Sequence, residues 1–125
     1  MTVRELFVSA LEIAGYSENE CLGANDIKDK MLSIVNTVCS DIIFSKGATE
    51  FKKILNEDDD IGLNDKEAYD CAVYGVAALI QNILGSSYDF EVFERIYKNK
   101  KNLLLRKCEI YQVKDTFGRD VMSDE

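Results

Sequence analysis

The run Asn56-Glu-Asp-Asp-Asp-Ile-Gly-Leu-Asn-Asp-Lys-Glu67 crowds carboxylates and carboxamides into twelve residues, so it is the first place to look for chemistry. Read as a calcium loop, it puts Asn56, Asp58 and Asp60 at the first, third and fifth positions, Asn64 at the ninth and Glu67 at the twelfth. The sixth position needs glycine for a sharp turn, but Ile61 stands there and Gly62 comes one place late. The other reading is a solvated acidic loop whose end caps the next helix. Asn64 or Asp65 is then the N-cap, with acids favourable at the helix's positive end.

A second feature has the opposite sign. Arg95, Lys98, Lys100, Lys101, Arg106 and Lys107 follow one another with no acid between them. With these six cations set aside, the net charge of −8 becomes −14. Three readings fit: a phosphate-binding face, a solvated helix face with snorkelling lysines, or a contact between proteins. A pI near 4.6 opposes the first through long-range repulsion, so no specific nucleic-acid recognition is expected. A domain carrying acid on one side and base on another packs head-to-tail against its own copies, and a rotation that closes makes a ring. The six cations are therefore the candidate assembly surface.

Other chemistry is thinly supplied. The chain has no histidine, which removes Ser–His and Cys–His nucleophile pairs, imidazole bases and mixed Cys/His zinc sites. No GxGxxG, Walker or GxSxG motif occurs. Carboxylate or lysine chemistry stays open in principle, but the expectation is a non-catalytic protein without metal or cofactor. Cys21, Cys39, Cys71 and Cys108 form no CxxC pair, and each lies in or beside an apolar stretch. Their even count permits a disulfide framework, but a chain this size does not need one. Reduced, buried thiols and a cytoplasmic setting are expected.

At 125 residues, 46% apolar and 30% charged, the chain has the balance of one globular domain rather than of a disordered segment. No apolar run approaches the roughly 20 residues needed to span a bilayer, and no membrane partner is expected. Apolar residues at helical spacing predict a first helix over 3–14, with Thr2 and Glu5 as a capping box and Gly15 as the stop. A second helix runs from Asn25 or Asp26 to about Phe44, and residues 48–56 suggest a short helix through Phe51, Ile54 and Leu55.

The third, about 65–84, is apolar nearly all round: from Ala68 to Ile80 only Asp70 is charged, so it should be buried, or become buried in an assembly. Ala68, Ala72 or Cys71, Gly75 and Ala78 line one face where another helix can approach closely, and the polar residue Asn82 is expected as a hydrogen-bonded amide on the buried helix. A fourth helix runs from about Tyr88 to Asn102 or a little beyond, with Val92, Phe93, Ile96 and Tyr97 as its core face and Leu103 and Leu104 further on, beside the cations. Residues 108–113 are β-prone and allow one short strand. The expected fold is mostly α: a compact bundle of four main helices over 1–117, with a short C-terminal β segment as an option and a loose acidic tail over 118–125.

Two stretches on the third and fourth helices carry a resemblance: LNDKEAYDCAVYGVAALI from Leu63 to Ile80, and FEVFERIYKNK from Phe90 to Lys100. A small-residue helix of YGVAALI type, a polar turn and an aromatic-basic helix with Phe93, Tyr97 and Lys100 in register resemble the helical head–tail connector, head-completion or adaptor proteins of tailed bacteriophages and prophages. The resemblance spans roughly residues 60–105. It implies an oligomeric ring protein whose partners are its own copies and other neck proteins such as the portal, with no catalytic residue to transfer. The alternative from another class is a small helical protein-binding or regulatory module, calcium-linked through the 56–67 loop or not.

Overall fold

Helix α1 (Val3–Ile13) begins at a closed capping box: the Thr2 hydroxyl accepts from the Glu5 N–H, and the Glu5 carboxylate accepts from the Thr2 N–H. The structure, a computed structural model, describes residues 1–16, 27 and 29–117, with side chains as far as Arg106. α1 buries Val3, Leu6, Phe7, Ala10 and Leu11, the stripe its spacing predicts.

Helix α2 (Met31–Ser45) buries Met31, Ile34, Val35, Val38, Cys39 and Ile42 on one face. Its predicted start at Asn25 or Asp26 lies outside the described residues. The short helix expected over 48–56 does not form. Segments this short are marginal as isolated helices, and here a side chain takes over the backbone bonds. Asn36, on the polar side of α2, accepts from the Ile54 N–H at 2.7 Å and donates to the Ile54 carbonyl at 2.9 Å. Ile54 is thereby pinned with its side chain buried. Asn36→Ala should strand these backbone groups at a cost of about 1–3 kcal/mol. Amide hydrogen exchange at Ile54 should quicken well before that of α1; unchanged protection there would show that the clamp is idle.

The predicted third helix is continuous but not uniform. It opens with one α turn, α3 (Asp65–Glu67), passes through a π-helical turn (Ala68–Ala72) and continues as α4 (Val73–Ile83). Of the two candidate caps, Asn64 is the one used, in a capping box with Glu67. Helices α1, α2 and α5 (Ser87–Phe117) all pack on α4, which explains why its sequence is apolar almost all round. Its buried amide is Gln81 rather than Asn82, which is exposed. Gln81 donates to the Ala14 carbonyl and accepts from the Tyr16 hydroxyl, both at 3.3 Å, tying the end of α1 to α4.

Gly85, at φ +83°, makes the reversal into α5 that an L side chain would resist. α5 runs on through 108–113, so the optional strand is helix instead. A strand needs a neighbour for its backbone bonds, and no strand occurs among the described residues, whereas a helix satisfies its own. Tyr97 is buried, and Phe93 and Leu104 pack against the core, whereas Leu103 is 54% exposed. Residues 118–125 lie outside the described part. No described helix is long and apolar enough to cross a membrane.

Candidate functional site

The four small residues of the third helix are all buried, and Gly75 is the tightest point. A Cβ built there would stand 2.9 Å from two carbons of the Tyr97 ring and 2.9 Å from Val38 Cγ1. The glycine thus lets α5 and α2 close over α4. Above it the Tyr97 hydroxyl donates to Asp41 Oδ2 at 2.5 Å, and Lys101 Nζ donates to the same oxygen at 2.8 Å. The Lys101 ammonium also sits 5.3 Å from the Tyr97 ring centre.

Burial pushes the Asp41 carboxyl up, but the hydrogen bonds from Lys101 and Tyr97, with the lysine's charge, outweigh that and leave it below its usual range. Burial, reinforced by Asp41, pushes the Tyr97 phenol well above its ordinary value. These groups line a groove of about 360 Å³ between α2 and α5, floored by Gly75, Ala78 and Leu79. Each polar group in the triad is matched to another, so the arrangement ties helices together. Cys39 and Cys71 are free and buried, and burial drives both thiols up to about 12, which makes them poor nucleophiles. Cys21 and the side chain of Cys108 lie outside the described residues.

The six cations of the candidate assembly surface do not share one face, because consecutive helical residues turn by about 100°. Lys101 is turned inward to Asp41, and its side chain is only 19% exposed. Lys98 pairs with Glu94 one turn back at 2.7 Å. Arg95 lies on the outward side in a shallow hollow with Glu91, Glu94, Lys98, Asn99 and Asn102. Lys100 lines a different hollow with Lys66, Asp70, Leu103 and Leu104. Arg106 is exposed, and the Lys107 side chain lies outside the described residues. Among the described residues Arg95, Lys100 and Arg106 have no ion-pair partner.

The acidic run is occupied differently from a calcium loop. Its backbone carbonyls cap α1: the Val3 N–H donates to Asp59 O at 3.1 Å, and the Arg4 N–H donates to Glu57 O at 3.0 Å. One Asp60 oxygen pairs with the Met1 ammonium and the other accepts from the Gly62 N–H. Glu57 meets Arg4, and Glu67 meets Lys46. No group of three or more acidic or thiol side chains converges as metal ligands among the described residues. Asp58 and Asp59 remain exposed.

Comparison with protein-family models, curated proteins and solved structures gives no match.

Sequence reasoning did not find the partners of the buried groups. Asp41 reads as one more polar residue on the outer side of α2, Lys46 as part of a helix stop and Gln81 as an ordinary position beside Asn82. Tyr97 and Lys101 stand one turn apart on α5, but nothing local marks Asp41, 56 and 60 residues away, as the group that faces them.

Proposed function

We propose that this chain is a non-catalytic virion assembly protein of the tailed-phage type, a head–tail connector or neck adaptor. It works as an oligomeric ring of its own copies, joined to neck proteins such as the portal. The observation that carries this reading is how the fold disposes of its charge. The acidic loop is fastened to the start of α1, the cations lie on α5, and both helices pack on α4 while making little contact with each other. Glu57, Asp60, Glu67, Lys98 and Lys101 are paired within the molecule, but Asp58 and Asp59 of the loop and Arg95, Lys100 and Arg106 of α5 carry no ion pair among the described residues. Such a distribution favours contact between copies, steers their encounter and sets register. The internal polar groups support binding over catalysis, since Asp41, Tyr97, Lys101, Glu67 and Gln81 are engaged in joining helices. The resemblance over 60–105 supplies the phage setting, and flanking portal, capsid and tail genes would agree with it.

The test uses the whole chain and a variant combining Arg95→Glu, Lys100→Glu and Arg106→Glu. Lys101 is left alone because it holds Asp41. The parent should self-associate by light scattering, or bind a neighbouring neck protein, and the variant should do so more weakly. At physiological salt the parent should show no appreciable DNA affinity, and millimolar calcium should give no saturable heat. A parent that binds DNA with a steep salt dependence, lost in the variant, would make the cations a phosphate-binding face and sink the assembly reading. Saturable, stoichiometric calcium heat lost in Asp58→Asn would revive the calcium module.

A further inference from the structure

We infer that the π turn absorbs one surplus residue, Tyr69, and is the register device that lets a single helix face α2 at two levels. Glu67 and Gly75 both look toward the same neighbour. Glu67 meets Lys46 directly after α2, and Gly75 packs against Val38 in the middle of α2. Gly75 stands eight positions after Glu67. In an unbroken α-helix each residue turns by about 100°, so Gly75 would lie roughly 80° beyond two full turns from Glu67. The two could not then share one neighbour. Across the π turn, however, the Val73 N–H donates to the Ala68 carbonyl five residues back. Bonds of that span take up one residue without advancing the phase of the helix. The eight steps count as about seven, and Gly75 comes within about 20° of the direction of Glu67.

Burial across the turn identifies the surplus residue. Glu67 and Ala68 are buried before it and Cys71, Ala72 and Val73 after it, while Tyr69 and Asp70 are exposed. Counted back from Gly75 through a uniform α-helix, Tyr69 would take the inward direction that Ala68 now holds. Ala68 would take that of Glu67. A tyrosine ring would be forced into space sized for a methyl, and Glu67 would swing off Lys46. With one residue absorbed, Tyr69 stays outside. Glu67 stays inside with both oxygens used, one by Lys46 and the other by the Asn64 N–H. The register also matters beyond the helix. The capping box at Asn64 fixes how the chain enters α3, and the residues just before it are those whose backbone and Asp60 carboxylate hold the start of α1. The π turn thus aims the acidic loop at α1 while Gly75 stays under Tyr97. This device does not depend on the assembly reading.

The test is a pair of one-residue deletions in the full chain, read by thermal melts and amide hydrogen exchange. Deleting Tyr69 puts Gly75 seven positions after Glu67, the spacing at which an unbroken α-helix keeps both toward α2. That variant should fold, melt no lower than the parent and exchange more slowly over 71–73, where ordinary α bonds replace the π bonds. Deleting Ala77 removes a residue where the helix holds no surplus. It swings either Gly75 or Gln81 off its partners by about 100°, so the melt should fall steeply or folding should fail. Lys46→Ala should lower the melt by the same amount in the parent and in the chain lacking Tyr69, because Glu67 faces Lys46 in both. The inference is overturned if losing Tyr69 is as damaging as losing Ala77. It is equally overturned if losing Tyr69 abolishes the effect of Lys46→Ala.

Discussion

Gly75→Ala should lower stability, although the same change on an open helix face raises helix propensity by about 1 kcal/mol. The new methyl would meet the Tyr97 ring and Val38 Cγ1 at 2.9 Å, well inside normal contact. Neither neighbour yields easily. The Tyr97 ring is held through its hydroxyl by Asp41, and Val38 is a β-branched residue on the buried face of α2. Overpacking of this kind costs about 1–3 kcal/mol, enough to reverse the propensity gain, and Gly75→Leu should cost more. Thermal melts of the two variants decide the matter. A Gly75→Ala melt at or above the parent's would mean that α5 does not press on α4 at this point.

Asp41→Ala should be nearly as damaging, for a different reason. It removes one acceptor that serves both Tyr97 and Lys101, leaving a buried phenol unmatched and an ammonium without its counter-charge. An orphaned buried donor costs about 1–3 kcal/mol. Tyr97→Phe in the Asp41→Ala background should recover part of the loss, because the phenol then no longer needs a partner. The double-mutant cycle measures that coupling, and strict additivity would show that the contact is inert.

The same carboxylate sets a pH dependence. Its pKa is lowered in the folded state from an ordinary 3.8, so its contribution is present above that value and is lost as the pH falls through the folded value. The parent should therefore lose stability faster than Asp41→Ala on acidification below about 3.8. Parallel acid titrations of the two proteins would contradict this.

These two sites differ in how far they can be read without coordinates. Gly75 stands out in the chain, since a glycine inside an apolar helix costs propensity and needs a packing reason. Asp41 does not, because nothing local distinguishes it from the other polar residues of α2. Its partners lie 56 and 60 residues away. Likewise Asn36 looks like solvent-facing polarity until the 48–56 segment folds back onto it. The acidic run resembled a ligand loop because composition records how many carboxylates are present, not where their oxygens and carbonyls point.

What the chain determined alone was local: the capping box at Thr2, a cap at Asn64 or its neighbour Asp65, the apolar stripes of α1 and α2 and the all-round apolar character of α4. Each depends on spacing within one or two turns, where helix geometry translates order directly into direction. Tertiary structure alone decided that the cations of α5 divide between an internal tie and outward flanks, because helical rotation spreads neighbours and each then finds a different surface. It also decided that 108–113 is helix, where β propensity found no strand to join, and that Gln81 rather than Asn82 is buried. In these cases the deciding contact lies far along the chain. A group's role is then set by whichever partner removes its cost of leaving water, and that partner exists only once the helices have packed.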